Sequence, residues 1–359
     1  MPAVKILVES LADEDLTNAQ MVNAREIIRR LDPERFHVST FAHGAADPAV
    51  SKRPNTRVVL LPARRQTPRI LARFFLGDHD ILFYVKASPA SRWYMSGRKT
   101  WERKRRVSIG TIESQSNWRS EPSISAENIA LIEQTVLRCD RLFSNSSAVR
   151  RSLEKEYGIG SEVVPTGVDT QFFSPDANKA PNQRLRVLFV GALRPFKGPD
   201  LILEAAARCP GMEFVMVGDG PMREALQTRS VQLCNVRLLG TLNRNELRDE
   251  YRRADVFLFP SRWEGSPKVI MEAAACGLPV IARRDYEPET VIDGETGFLV
   301  GEDEELYTSV MLLAQSAALR ARMGRAGRAH VAKFDWDNIA RQWEQIFLES
   351  VANTKRALD

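Results

Sequence analysis

Short apolar runs alternate along this chain with stretches in which apolar residues recur at helical spacing. In the first half the runs fall at 4–8, 36–41, 58–61, 81–85, 107–109 and 141–144, each of strand length and bounded by polar or Pro-containing segments. Ala19, Val22, Ala24, Ile27, Ile28 and Leu31 share one helical face and predict a helix over 16–31; a second helix is predicted over 126–139. In the second half an apolar strand at 186–191 is followed by a helix over 200–207 and strands at 212–217, 255–259 and 280–282. Such alternation of strand and helix argues for α/β architecture with parallel sheets. The segment 174–184, rich in Pro, Asn, Asp and Lys, reads as a linker between two domains, 1–173 and 185–335. Near the end, Trp336, Ile339, Ala340, Trp343, Ile346 and Phe347 line one face of a last helix within 336–359.

The stretch 260–279 carries the clearest local instructions. Ser266 suits a helix N-cap, Pro267 the first helical position and Gly277 the left-handed position past the end, while Pro279 prevents continuation. Glu264 therefore falls in a loop and Glu272 in a helix. Eight helical steps at about 100° would set the two carboxylates roughly 80° apart around the axis and about 12 Å apart along it, too far for a joint acid/base pair. They suit two parts of one long ligand. The helix start between them carries the backbone N–H groups of Lys268 and Val269 and the positive end of a dipole, which favour a phosphate. A diphosphate at the helix start, with something hydroxyl-rich at each glutamate, has the shape of a nucleotide sugar.

Glu264-Gly265-Ser266-Pro267-Lys268-Val269-Ile270-Met271-Glu272 resembles the signature of the retaining glycosyltransferases of family 4, which have the GT-B fold: two Rossmann-like α/β domains with parallel sheets facing a central cleft. The resemblance spans most of the chain and is dense from about residue 144 onward. It implies that Glu272 binds the ribose hydroxyls and that Glu264 lies by the donor sugar. It also implies that Lys197, with Arg194, stabilises the leaving diphosphate, which gains negative charge as the glycosidic bond breaks. Relatives often have Arg directly after Gly191, where this chain has Ala192. Gly218, Gly220 and Gly240 are further donor-side positions by the same resemblance. Gly218-Asp219-Gly220 is not a full dinucleotide fingerprint, because position 223 is Arg. In the first domain Glu113 stands where many relatives have a histidine near the sugar, and the loop 9–18 has no glycine where they have a glycine-rich turn. The final helix is implied to pack back on the first domain.

The implied activity is metal-independent transfer of a hexose from a UDP- or GDP-sugar to a glycan, lipid-linked or other hydroxyl acceptor, in cell-envelope or exopolysaccharide biosynthesis, without a cofactor. Two alternatives use the same architecture. One is a non-catalytic nucleotide-sugar-binding protein, marked by the altered N-terminal loop and Glu113. The other is a phosphorylase or epimerase; a phosphorylase needs a pyridoxal phosphate lysine, and nothing in the sequence singles one out.

Composition narrows the setting. No apolar run reaches the ~18 residues of a membrane span, the first strand begins at once and leaves no room for a signal peptide, and Cys139, Cys209, Cys234 and Cys276 lack metal or disulfide spacing. A cytoplasmic location is expected, with peripheral attachment to the membrane as its variant. The net charge of +5 is uneven: residues 1–179 carry 27 Lys and Arg against 21 Asp and Glu, residues 180–359 carry 24 against 25. The most basic stretch is 92–106, where Arg103, Lys104, Arg105 and Arg106 follow Trp93 and Trp101. Basic residues interleaved with rings suit a single nucleic-acid strand, but no nucleic-acid motif accompanies them and none is expected as partner. An anionic membrane surface or a phosphate-bearing acceptor is the candidate partner, and a solvated basic face the alternative. Asp13-Glu14-Asp15 and Asp335-Trp336-Asp337 match the Asp-x-Asp metal motif of the other major glycosyltransferase fold. Both stand near predicted helix starts, where acidic residues are favoured, and no metal site is expected.

Overall fold

The apolar runs form two parallel sheets, one in each of two units of the computed structural model, 1–166 with 336–359 and 167–335. The structure describes residues 2–14, 18–101, 106–116, 118–119 and 124–356. The first unit contains β1 (Val4–Leu11), β2 (Phe36–Ala42), β3 (Thr56–Leu60), β4 (Ile81–Phe83), β5 (Val107–Ile112), β6 (Arg141–Ser144) and β7 (Glu162–Val163). Their order is β3-β2-β1-β4-β5-β6-β7 and neighbouring strands are parallel. The second unit contains β8 (Arg186–Val190), β9 (Glu213–Val217), β10 (Val236–Gly240), β11 (Val256–Phe259), β12 (Val280–Arg283) and β13 (Gly297–Val300), in the order β10-β9-β8-β11-β12-β13, again parallel. Strands covered on both faces read as unbroken apolar runs, which is why β8 and β11, buried throughout, were legible. Strand order reverses between β1 and β4 in one sheet and between β8 and β11 in the other. At such a reversal successive crossovers leave on opposite faces and open a crevice beyond the carboxyl ends of the strands.

Several boundaries differ from the sequence expectation for local reasons. The first helix is Ala19–Arg30, because the Asn18 side chain accepts a hydrogen bond from Gln20 N at 3.0 Å and fixes the start. The helix expected over 126–139 ends at Gln134, where Thr135 leaves helical geometry and a 3-10 turn, Val136–Arg138, follows. The segment 174–184 is not an interdomain linker. The units meet in sequence at 166/167 and 335/336, and 174–184 is tied to the second unit by Lys179 Nζ on Asp255 at 2.8 Å, Asn182 Nδ2 on Asp255 at 2.8 Å and Arg252 Nε on the Ser174 carbonyl at 2.8 Å. A polar composition looks the same whether its groups face water or are met by ion pairs.

The terminal helix, Trp336–Arg356, belongs to the first unit. Its apolar face buries Trp336, Ile339, Trp343 and Phe347 in the core below the sheet, with Trp343 4.7 Å from the Phe83 ring and 5.0 Å from the Phe143 ring. Asp337 holds Arg30 of the first helix at 2.6 Å, and Asp335 accepts from Thr170 N at 3.1 Å. Asp13 Oδ1 accepts from the backbone N–H groups of His43 and Gly44 at 2.8 and 2.6 Å. Asp15 lies outside the described residues.

Candidate functional site

In the second unit the loops that leave β8, β9 and β10 prolong the ladder past the strand ends: Gly191 N donates to Val217 O at 3.0 Å, Leu193 N to Asp219 O at 2.9 Å and Gly218 N to Gly240 O at 2.8 Å. The approach is tight. Gly218 has φ +134° and a Cβ there would stand 2.0 Å from Gly191 O; at Gly220 it would stand 2.6 Å from Leu193 O. Loop packing alone therefore requires glycine at these two positions.

Beyond β8, the chain makes a 3-10 turn at Pro195–Lys197 and reverses through Gly198 at φ +64°. This turns Lys197 across the strand-order reversal toward the loop after β11. Its ammonium pairs with Glu264 Oε1, and the buried Ser261 hydroxyl donates to the same oxygen at 2.6 Å. The Phe259 ring centroid lies 5.4 Å from the ammonium, and Arg262 N donates to Phe196 O at 2.9 Å, fastening the two loops together. The Lys197 and Glu264 side chains remain 17% and 12% exposed, so the pair lies at the surface of the crevice, within reach of a ligand. Arg194 is exposed and forms no side-chain hydrogen bond or ion pair among the described residues.

The helix after this loop is Lys268–Ala275, and its N-cap is Pro267 rather than Ser266. Pro267 is extended, at φ −71° and ψ 112°, and no side chain caps the helix. Ser266 and the buried Gly265 belong to the loop. The N–H groups of Lys268 and Val269 come too early in the helix for intrahelical acceptors, whereas Ile270 N donates to Pro267 O at 3.2 Å. Gly277 has the left-handed conformation expected of it, at φ +81°. One turn into the helix Glu272 is largely buried, and its Oε2 accepts from the Tyr251 hydroxyl at 2.9 Å. Burial pushes the Glu272 carboxyl above the usual carboxylate range, opposed by the Tyr251 hydrogen bond and then by the charges of Lys268 and Arg244. Tyr251 is itself fully buried between Phe173 and Phe257. The arrangement offers one cation, two carboxylates held at fixed positions and a helix start, which together can bind a phosphate and two sets of hydroxyls.

The first unit has a polar cluster at the carboxyl ends of its own strands. Tyr84, just past β4, has φ +62°, a strained conformation for an aromatic residue. Its hydroxyl donates to Glu113 Oε1 at 2.9 Å. Tyr84, Glu113, Asn23, Thr111, Asn145 and Thr166 contribute the polar lining of a hollow of about 20 Å³, room for roughly one water molecule. Lys86 donates to Gln20 Oε1 at 2.7 Å and lies 5.2 Å from the Tyr84 ring; burial lowers its pKa, against the pull of Glu113 and Glu9. Glu9, at the strand-order reversal, accepts from Lys86 N at 2.9 Å, Ser88 Oγ at 3.1 Å and Ser91 Oγ at 2.6 Å. Burial raises its pKa to about 7, with these hydrogen bonds opposing.

Of the basic cluster 103–106 only Arg106 is described, and it does not face solvent. Arg103, Lys104 and Arg105 lie outside the described residues. Arg106 is buried, and its guanidinium donates to the carbonyls of Phe74, Phe75 and Gly77, closing the C-terminal end of the helix Gln66–Leu76. Arg98 is likewise buried, with its guanidinium on Asp140 at 2.6 Å. Neither is available to a lipid. Sequence reasoning also missed Ser261, Tyr251, Glu9 and Tyr84. Glu9 was read as the first residue of the loop 9–18, whereas β1 continues to Leu11 and buries it; no local signal marks the two tyrosines.

Two doubly wound parallel sheets in one chain are the architecture of the GT-B class, and comparison with known proteins reaches the same class independently. The family model described as glycosyl transferases group 1 matches residues 170–330, and that described as glycosyltransferase family 4 matches residues 20–172. A D-inositol 3-phosphate glycosyltransferase of Geodermatophilus obscurus is 30% identical over 321 residues, covering 75% of this chain and 68% of that protein. One of Acidothermus cellulolyticus is 33% identical over 255 residues, covering 62% of this chain and 56% of its own length. The chain thus spans between about half and two thirds of these relatives. Among solved structures, sucrose-phosphate synthase from Thermosynechococcus elongatus superposes with a TM-score of 0.81 at 21% identity, covering 98% of this chain and all of the other. Anabaena HepE in complex with UDP gives 0.77 at 18% identity, covering 96% and 100%. The chain belongs to the group 1 glycosyltransferases.

Proposed function

We propose that this protein is a retaining, metal-independent glycosyltransferase that moves a sugar from a UDP- or GDP-sugar to a hydroxyl of a glycan or lipid-linked acceptor, on the cytoplasmic side of cell-envelope or exopolysaccharide synthesis. The carrying observation is the Lys197–Glu264–Ser261 group at the β8/β11 reversal, beside a helix start whose N–H groups no side chain caps. That is where a doubly wound sheet binds a ligand and where a diphosphate finds donors and positive charge. Lys197 stabilises the departing diphosphate, joined by Arg194. Glu264 orients the sugar, and Glu272 accepts hydrogen bonds from the ribose, as the family resemblance implies. The acceptor hydroxyl attacks from the face the diphosphate leaves, and a donor phosphate oxygen takes its proton. No carboxylate nucleophile is needed.

The donor class is supported by the similar Anabaena HepE, whose crystal structures are complexes with UDP and with UDP-glucose. The Asp-x-Asp residues that are described, Asp13, Asp335 and Asp337, are engaged in structural contacts, in keeping with the proposed independence from metal. Among the described residues no helix is long and apolar enough to cross a membrane. Glu113, held by Tyr84 over the polar hollow, is proposed for the acceptor or sugar side. The test is transfer from labelled UDP- and GDP-sugars in the presence of a chelator, with the anomeric configuration of the product read by NMR. Transfer with retention supports the reading. Inversion, or activity that only added magnesium or manganese restores, contradicts it.

A further inference from the structure

The helix Gln66–Leu76 and its neighbour Pro89–Trp101 pack together through Phe74, Phe75 and Tyr94, with the Phe75 ring 5.2 Å from Tyr94 and 5.7 Å from Trp101. Their outer sides carry an unusual combination of residues. On the first helix Ile70, Leu71, Phe74 and Phe75 turn inward, while Arg69, the half-buried Arg73 and the exposed Leu76 recur at helical spacing on the other side, after Arg65 at the N-cap; Arg69 Nη1 donates to the Leu60 carbonyl at 2.9 Å. Leu76 is 70% exposed, and on the second helix Trp93 and Trp101 are 58% and 59% exposed. Trp101 rests partly on Phe75, yet more than half of the surface of Trp93 and of Trp101 faces water.

The charge around these rings is unbalanced. Residues 48–101 contain only two acidic residues, Asp78 and Asp80. Both are drawn to β1: the Asp78 carboxylate pairs with the Lys5 ammonium, and Asp80 Oδ2 accepts from Lys5 N at 2.9 Å. Among the described residues Arg57, Arg65, Arg69, Arg73, Arg92 and Lys99 form no ion pair. Arg73 is pulled below the usual arginine range, first by burial and then by repulsion from Arg57 and Arg69, so the positive charges here press on one another.

We infer that the outer face of these two helices docks on an anionic phospholipid bilayer, with the Arg65, Arg69 and Arg73 stripe on the headgroups and Leu76, Trp93 and Trp101 in the interface. Cationic side chains next to aromatic rings match the layered chemistry of that surface, negative outside and apolar within. An acidic protein would complement the charge but offers no use for three separate exposed apolar side chains. The inference is independent of the donor site and rests on residues other than the 103–106 cluster.

The experiment is co-sedimentation of the full chain with vesicles of mixed phosphatidylglycerol and phosphatidylcholine, and with phosphatidylcholine alone. The wild type is expected to bind the anionic vesicles only, and less as salt rises. Arg65→Gln, Arg69→Gln and Arg73→Gln combined should weaken partition about 100-fold, on a factor of about five per basic residue. Trp93→Ala should weaken it several-fold, at unchanged melting temperature because its ring is exposed. Failure of the wild type to bind anionic vesicles at low salt overturns the proposal. So does binding that the triple variant retains, or tighter binding to a single-stranded RNA homopolymer than to the vesicles.

Discussion

Replacing Lys197 by methionine removes the ammonium and keeps most of the stem, and so tests the charge assignment in the second unit. Without the cation, Glu264 Oε1 is left with the Ser261 hydroxyl. Breaking one side of a fully buried pair costs about 3–5 kcal/mol, whereas a surface pair is worth less than about 1 kcal/mol. Side chains 17% and 12% exposed place the expected loss between these limits, at about 2 kcal/mol or roughly 4–8 °C for a domain of this size. Adding Glu264→Gln should recover most of that loss, because the stranded charge is gone; coupling of this kind appears as non-additivity in a double-mutant cycle. The rate consequence is larger. In the absence of donor Lys197 is already neutralised by Glu264, so its main effect should come as the diphosphate gains charge, about 10²–10³-fold in the single-turnover rate. Binding of the bare nucleoside diphosphate should fall less. A folded Lys197→Met variant that turns over within twofold of wild type would refute the assignment, as would a double variant as destabilised as the sum of the two single ones.

Other substitutions separate positioning from structure. Tyr251→Phe removes the hydrogen bond that holds Glu272 at 2.9 Å and should weaken nucleotide affinity by about tenfold, on a cost of about 1.5 kcal/mol, while the single-turnover rate at saturating donor stays near wild type; equal affinity in calorimetry would remove Tyr251 from the site. Glu9, raised to about 7 from 4.5, holds its proton more tightly folded than unfolded, so the stability of its neutral form is complete below about pH 4.5 and lost as pH rises through 7. Glu9→Gln abolishes that titration, so its melting temperature relative to wild type should climb between about pH 4.5 and 7, and a flat difference across that window contradicts the buried carboxyl. Arg106→Met strands carbonyls at the end of the helix Gln66–Leu76 and should cost about 2–3 kcal/mol in denaturant unfolding; a change under about 0.5 kcal/mol would return Arg106 to the surface.

What could be read in advance follows a physical division. Buried parallel strands and the face of the last helix are written as runs and periodicities, so β8, β11 and the row from Trp336 to Phe347 were visible. Glu264 and Glu272 were visible because their spacing is local. Lys197 beside Glu264 is a contact across 67 residues; the resemblance brought each residue to the donor side separately and did not pair them. Tyr251 beside Glu272 had no such pointer. Arg106 misled because a basic run has one appearance in sequence, whether its side chains face water or cap a helix. Ser266 misled because a good cap residue one position too early is overridden by the extended backbone at Pro267.

The central claim is that the crevice at the β8/β11 reversal binds a nucleoside diphosphate sugar through Lys197, the helix start and Glu272. It is tested most directly by thermal-shift measurements on wild type and Glu272→Gln against a panel of nucleotide sugars, with chelator throughout. A donor at 100 times its dissociation constant adds about 2.7 kcal/mol to the native state. The account predicts that at least one UDP- or GDP-sugar raises the melting temperature of wild type and that most of the shift disappears in Glu272→Gln. A panel without any shift, or a shift of equal size in the variant, would contradict it.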